Sequence, residues 1–209
     1  QIEQIERKML FDLASSVTLG PEDTIVEFGT LFGRSTACLV NGVLAQKLPK
    51  RSNPYIRAFD SFSYPLSHDM HRYVKARAEE RNLAHLLRVT PDTVNFKAFY
   101  DHFVGAAEVD GLLKTTESAI VDAKNDLKSI ALMHIDAPKD YTDFRPLLLN
   151  FFPSLRQGAV VIFQDYFFQW SAGLIGGVQV LIDEGFIAPR ASAATSMVAD
   201  VRKPFDTIN

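Results

Sequence analysis

The spacing of hydrophobic and polar residues changes several times along the chain, and these changes predict the order of the secondary-structure elements. Residues 1–20 carry an apolar position every three or four residues, which predicts an N-terminal helix that ends at Gly20 and Pro21. Its apolar positions are Ile2, Ile5, Met9, Leu13 and Val17. Short apolar runs then predict strands buried on both faces at 24–28, 55–59, 119–121, 130–135 and 159–163. An alternating pattern predicts a last strand at 196–202.

Helical spacing returns between the predicted strands. It predicts helices at 35–48, 142–152 and 174–182, and helical patterns at 70–87 and 94–104. In the helix at 35–48, the positions expected to face inward are Ala37, Val40, Val43 and Leu44. Strands that alternate with helices are typical of a mostly parallel sheet with helices on both faces. We therefore expect a single Rossmann-like, doubly wound α/β domain over residues 1–209, in which residues 61–115 are an insertion that forms a substrate lid.

Composition narrows the possible partners. The chain has 209 residues, a formal net charge of -3 and no apolar run near the roughly 20 residues of a membrane span, so we expect neither a nucleic acid nor a membrane as partner. A single cysteine, Cys38, excludes an intrachain disulfide and a multi-cysteine zinc site, and a cytoplasmic location is the default expectation. A chain that begins at Gln1 rather than Met is compatible with a piece of a longer protein.

Two candidate binding segments follow the first two predicted strands, where ligands bind in sheets of this type. The first runs from Glu27 to Ser35, and its two glycines permit a sharp turn and a close approach of ligand to backbone. Its Gly-x-x-x-Gly spacing differs from the dinucleotide fingerprint, which disfavours a nicotinamide dehydrogenase, and a merely tight turn is the alternative. The second segment is Asp60-Ser61-Phe62. Asp60 suits the hydroxyls of a ribose or caps the next segment, and Phe62 suits an adenine ring or the core.

A third group joins the ends of two later strands. His134-Ile135-Asp136 and Gln164-Asp165-Tyr166 both follow apolar runs, so Asp136 and Asp165 are expected in one crevice. Together with the Gln164 amide, they form an oxygen set that suits Mg²⁺ or Ca²⁺. The same carboxylates also suit a general base without metal, or helix caps. His134 is expected on the same sheet face as Asp136 and is a weaker catalytic candidate, since pairing with a neighbouring residue is the favoured interpretation.

Together these groups resemble the class I S-adenosylmethionine-dependent methyltransferases over nearly the whole chain. Within that family the likeness is greatest to small-molecule O-methyltransferases of the macrocin type, through four motifs in the same order. The motifs are Glu27-Phe28-Gly29, Phe59-Asp60-Ser61-Phe62, His134-Ile135-Asp136 and Gln164-Asp165-Tyr166. The resemblance implies S-adenosylmethionine as cofactor, a small-molecule hydroxyl as methyl acceptor, and Asp136 and Asp165 as the groups that take the acceptor's proton.

The resemblance also assigns residues to the cofactor. The loop after the first strand is expected to face its amino-acid end, Asp60 its ribose, and Asp122 its adenine, although a surface turn is as good an interpretation of Asp122. The expected cofactor-binding residues are Glu27, Gly29, Thr30, Leu31, Phe32, Gly33, Ser35, Asp60, Ser61, Phe62, Asp122 and Asp136.

Departures from the family pattern affect the metal and the acceptor. The family's Asp-Asp pair is Gln164-Asp165 here, and Lys139 adds a positive charge that weakens cation binding and favours an anionic substrate. Catechol-type relatives use two aspartates and an amide, so Mg²⁺ held by Asp136, Gln164 and Asp165 stays an expectation. The aromatic residues of 166–170 form either a wall of the pocket or a homodimer contact. A catalytically degenerate domain that acts as a binding or scaffold module of a larger protein is the alternative function.

Overall fold

Ten strands and six α-helices are present in the computed structural model, which describes residues 3–169 and 171–205. The strands are β1 (Asp23–Phe28), β2 (Ile56–Asp60), β3 (Ser63–Pro65), β4 (Arg88–Val89), β5 (Thr93–Asn95), β6 (Leu113–Glu117), β7 (Ser129–Ile135), β8 (Leu155–Phe163), β9 (Ile187–Ala193) and β10 (Ser196–Val201). The helices are α1 (Gln4–Ser16), α2 (Arg34–Ala45), α3 (Met70–Glu80), α4 (Lys97–Val109), α5 (Tyr141–Asn150) and α6 (Ala172–Asp183). In these ranges no helix combines the length and the apolar character needed to cross a membrane.

The central sheet has seven strands in the order β6-β2-β1-β7-β8-β10-β9. The pairs from β6 to β8 are parallel, whereas β10 runs antiparallel to both of its neighbours. The strand order reverses at β1, which pairs with β2 on one side and with β7 on the other. Because the carboxyl ends of these three strands lie at the same sheet edge, this reversal places the crevice where such folds bind ligands.

Successive residues of the central strands point to opposite faces of the sheet, and each face has its own core. Phe28, Ile135 and Phe163 pack in one core under α5 and α6. Ile25 and Leu132, which point the other way, pack in a second core with residues of α1, α2 and α4. Helices on both faces and a mostly parallel sheet confirm the predicted doubly wound α/β fold.

Several predicted elements were wrong in detail. Residues 119–121 are not a strand: one turn of 3₁₀-helix spans Ile120–Asp122, and the sheet strand on that side is β6, which pairs with β2 from Leu113 onward. The helical pattern at 94–104 combines β5 with the start of α4, and the pattern at 70–87 ends as an α-helix at Glu80. Leu44 is 51% exposed rather than inward, because each helical residue turns about 100° from the last and Val43 already lies on the buried face. Ile2, assigned to the first helical face, lies outside the described residues.

The insertion at 61–115 contains a small sheet of its own in addition to two helices. Strand β5 pairs with β3 on one side and with β4 on the other, both antiparallel. Helices α3 and α4 flank this sheet in the chain, and their side chains reach the first loop of the main sheet through contacts such as Tyr73 with Phe32, whose ring centroids are 5.8 Å apart. The insertion therefore lies beside the carboxyl end of β1.

Candidate functional site

The loop between β1 and α2 has a backbone that only a few residue types adopt readily. Gly29 and Gly33 have φ of 84° and 76°, and Leu31 between them has φ of 46°. A Cβ atom on Gly29 would lie 2.7 Å from the backbone nitrogen of Ala137, in the segment that follows β7. Glycine at 29 therefore lets the loops after two neighbouring strands touch.

Asp60, at the end of β2, holds this loop in place. Its Oδ2 accepts hydrogen bonds from the backbone N–H groups of Thr30 (2.8 Å) and Leu31 (3.0 Å), and its Oδ1 accepts one from the N–H of Phe62 (2.7 Å). Burial raises the pKa of Asp60, while these N–H donors favour its charged form. Oδ2 already accepts two N–H bonds, whereas Oδ1 accepts the Phe62 N–H and has a second lone pair. The ribose role of Asp60 is compatible with these contacts through Oδ1 and stays a prediction.

Glu27 of β1 and His134 of β7 form a buried polar pair beside this loop. Nδ1 of His134 is 3.4 Å from Oε1 of Glu27, and Oε2 of Glu27 accepts a 2.6 Å hydrogen bond from the hydroxyl of Thr36. Burial lowers the pKa of His134, but the nearby carboxylate of Glu27 outweighs burial and the net shift is upward. Both side chains are fully buried, so His134 has no surface on which to touch an acceptor, and we leave it out of the catalytic set.

Asp136 and Asp165 come together as the strand ends predicted, but a lysine lies between them. Nζ of Lys139 is 3.0 Å from Oδ1 of Asp136 and 2.7 Å from Oδ2 of Asp165. Burial opposes the charge on Lys139, but the two carboxylates raise its pKa overall. Burial also raises the pKa of Asp136, whereas for Asp165 the lysine outweighs burial and the pKa is lowered. The ammonium group is therefore charged and bridges both carboxylates.

The third expected metal ligand points elsewhere. Gln164 is buried under α1, where its Nε2 donates to Oε1 of Glu6 at 3.0 Å and its Oε1 lies 2.9 Å from the hydroxyl of Ser196. With an ammonium between the two carboxylates and the amide committed to another network, the residues that the sequence assigns to Mg²⁺ do not fit that ion. We therefore derive no step of the chemistry through a metal.

A cleft opens where the β1–α2 loop, the end of β7 and the insertion meet. Its lining includes five of the residues expected at the site, namely Thr30, Leu31, Phe32, Ser35 and Asp136. Tyr73, Phe99 and Phe103 also line it, and they belong to the aromatic-rich insertion that the sequence predicts as a substrate lid. Sequence reasoning missed the three arginines of the lining, Arg34, Arg77 and Arg81, for which no motif gave a signal. A lid role of the insertion is consistent with this placement and stays a prediction.

Several expected site residues lie away from this cleft. Phe62 is fully buried against Phe96 and Tyr100, so it fills the core and does not offer a face to an adenine ring. Ser61 is exposed and donates to the carbonyl of Ser63. Asp122 is exposed on its single 3₁₀ turn, and its adenine role stays a prediction.

The aromatic segment 166–170, which follows β8, contains both a buried and an exposed side chain. Tyr166 is 7% exposed and Phe167 is 57% exposed. Trp170, assigned to the same wall or contact, lies outside the described residues. The predicted homodimer contact therefore stays a prediction.

The class I methyltransferase fold is defined by four features that are present here. They are the strand order of the central sheet, its single antiparallel strand, the glycine loop after β1 and the acidic residue at the end of β2. Residues 26–166 match the protein family described as a methyltransferase domain. The chain belongs to this family. No curated protein matches it.

Solved structures share the fold at low sequence identity. The O-methyltransferase NovP has a TM-score of 0.63 and 16% identity, with 94% of this chain and 78% of that chain covered. The O-methyltransferase TomG from Streptomyces achromogenes, in complex with SAM, has a TM-score of 0.53 and 16% identity over 97% of this chain and 82% of its own. An O-methyltransferase from Bacillus cereus in complex with SAH has a TM-score of 0.52 and 18% identity over 97% and 83% of the two chains.

Proposed function

We propose that this protein is an S-adenosylmethionine-dependent methyltransferase that acts on a hydroxyl group of a small molecule. The observation that carries the proposal is the cleft at the reversal of the strand order, which residues of the β1–α2 loop line together with Asp136. The cofactor and the oxygen acceptor are further supported by the structural neighbours, two of which carry SAM or SAH and are O-methyltransferases.

The cofactor supplies a sulfonium methyl group that is already electrophilic, so the protein's task is to align an acceptor with it and to exclude water. Asp60 fixes the amides of Thr30 and Leu31, and the loop they belong to presents backbone to the cofactor. The insertion contributes aromatic rings to the lining of the cleft, which supports its role as the lid. Orientation of this kind contributes about 7–11 kcal/mol to lowering a reaction barrier.

Asp136 is the group that we assign as general base. It lines the cleft, and burial raises its pKa, which strengthens it as a proton acceptor relative to an ordinary carboxylate. Lys139 fixes its Oδ1 and leaves the other oxygen for the acceptor's proton. Asp165 accepts a hydrogen bond from Lys139 through Oδ2 and a 3.1 Å bond from the Thr195 hydroxyl through Oδ1. Because both of its oxygens are engaged in this way, we assign Asp165 as a positioning residue that acts through Lys139.

The cofactor is tested by thermal unfolding with S-adenosylhomocysteine. A ligand at one hundred times its dissociation constant stabilises the fold by about 2.7 kcal/mol, which corresponds to a rise in Tm of roughly 5–10 °C for a chain of this size. NADH under the same conditions serves as the comparison. A rise with NADH alone would make the protein a dehydrogenase and refute the proposal.

A matched pair of glycine variants localises the site. In Gly29→Ala the new Cβ would meet the nitrogen of Ala137 at 2.7 Å, so the loop has to shift and we expect at least a ten-fold weaker affinity for S-adenosylhomocysteine. Gly111 is the control because it has a similar φ of 72° but open space around it. Gly111→Ala introduces comparable backbone strain and should leave the affinity unchanged. Equal effects of the two variants in calorimetry would place the cofactor elsewhere.

A further inference from the structure

The cleft has an excess of positive charge that the net charge of the chain does not suggest. Among its lining residues, Arg34, Arg77 and Arg81 are cationic and Asp136 is the carboxylate. The chain as a whole has a net charge of -3. Lys139 neutralises part of the Asp136 charge and Glu80 pairs with Arg77, so the charged groups at the cleft still have an excess of positive charge, which favours an anion.

Two of these guanidinium groups are held against aromatic rings of the same wall. The guanidinium carbon of Arg77 is 5.3 Å from the ring centroid of Tyr73, and that of Arg81 is 5.6 Å from the ring centroid of Phe103. Arg77 also contacts Oε2 of Glu80 at 2.7 Å, on the exposed side of α3. Packing on an aromatic face leaves the N–H donors at the edge of a guanidinium clear of the ring, so the donors of Arg81 and those of Arg77 that Glu80 does not engage can bind a carboxylate.

Aromatic rings form another part of the cleft lining, and the residues are Phe32, Tyr73, Phe99 and Phe103. Phe32 stacks on Tyr73 with centroids 5.8 Å apart and meets Phe99 edge to face at 4.9 Å. Flat rings pack favourably on such surfaces by stacking or edge contacts. A ring packed on these aromatic residues would lie in one cleft with both Asp136 and the arginines.

We propose that the methyl acceptor is an aromatic acid, with its carboxylate at Arg77 and Arg81, its ring on the aromatic wall, and its hydroxyl directed to Asp136. The inference rests on the proposed function and names the substrate class of the same site. The alternative ligand for the two arginines is the carboxylate of the cofactor itself, and the experiment separates the two.

The test measures binding by calorimetry to the protein saturated with S-adenosylhomocysteine. The probes are 3,4-dihydroxybenzoate and its uncharged counterpart 3,4-dihydroxybenzyl alcohol. We expect the acid to bind at least ten-fold more tightly, because a charge-assisted bond to arginine contributes more than a neutral one. Arg77→Gln and Arg81→Gln should each weaken the acid about ten-fold and leave the alcohol unchanged. Arg72→Gln is the control, since Arg72 lies on the same helix with a side chain 79% exposed and outside the cleft lining.

Each contrary result overturns a different statement. Equal affinity for the acid and the alcohol, or no binding of the acid at millimolar concentration, refutes the aromatic acid. Loss of S-adenosylhomocysteine affinity in the Arg77 and Arg81 variants assigns these arginines to the cofactor and also refutes it. If the wild-type protein binds the acid but not S-adenosylhomocysteine, the proposed function fails while the anion site stands.

Discussion

Replacement of Lys139 by methionine tests whether the chain supplies its own cation between Asp136 and Asp165. The variant Lys139→Met keeps a side chain of similar length and removes the ammonium group, which lies 3.0 Å from one carboxylate and 2.7 Å from the other. The lysine side chain is 36% exposed, so each ion pair is intermediate between a buried and a surface pair. We take about 1 kcal/mol for each, or about 2 kcal/mol of lost stability. For a chain of this size, Tm should fall by roughly 4–8 °C.

The same variant should gain an affinity that the wild type lacks. Without the ammonium, the two carboxylates repel each other and form an oxygen pair that a divalent cation stabilises. Thermal unfolding with and without Mg²⁺, and electron paramagnetic resonance of added Mn²⁺, should therefore show binding to Lys139→Met but not to the wild type. Wild-type methyl transfer should be unaffected by excess EDTA.

A lysine on the surface provides the control for the loss of one positive charge. Lys128 is 75% exposed and pairs with Glu22, so Lys128→Met should change neither Tm nor Mn²⁺ binding measurably. Tight stoichiometric Mn²⁺ binding by the wild type, or loss of its turnover in EDTA, would refute the reasoning. In that case the lysine would move aside for a metal.

Three further predictions concern groups around the site. Glu6→Ala should lower the free energy of unfolding in urea by about 2–4 kcal/mol, because three side-chain donors lie at hydrogen-bond distance from its Oε1. The control Asp12→Ala, on the exposed face of α1, should change this free energy by less than about 0.5 kcal/mol. Because the pKa of His134 is raised in the folded state, its pair with Glu27 stabilises the fold fully below about pH 6.5 and loses this effect as pH rises through the folded pKa. His134→Phe should therefore flatten the dependence of the free energy of unfolding on pH above about 6.5. An unchanged slope would contradict the stabilising pair. Asp60→Ala should weaken S-adenosylhomocysteine at least ten-fold in calorimetry, since it releases the loop amides, and unchanged affinity would remove Asp60 from the site.

The central strands could be predicted because parallel strands covered on both faces are continuous apolar runs. β1, β7 and β8 are of this kind. β6 could not, since it reads Leu-Lys-Thr-Thr-Glu and only Leu113 is buried. Such an edge strand is specified by its register with β2 rather than by its own sequence, and the apolar residues at 119–121 drew the prediction away from it.

The position of the site could also be predicted, since strand ends in a parallel sheet meet at one edge. The orientation of its side chains could not. Gln164 follows Phe163, which packs in the core under α5 and α6, so strand alternation turns Gln164 to the opposite face. Its partner there is Glu6, 158 positions earlier in the chain. No local sequence pattern connects two residues so far apart. The predicted Mg²⁺ site therefore included the Gln164 amide, although in the folded chain this amide bonds to Glu6 of α1.

The charges in the cleft also determine how an acceptor would be oriented. Asp136 and the arginines of the insertion carry opposite charge within one cleft, and Lys139 holds Asp136 at its end. An acceptor with a carboxylate is attracted to the arginines and repelled by Asp136, so one orientation of its charged group is favoured before any reaction. A neutral acceptor of the same shape lacks this bias and enters in either direction. Because alignment lowers the barrier of methyl transfer by up to about 7–11 kcal/mol, the charged acceptor should have the higher kcat/KM as well as the tighter binding.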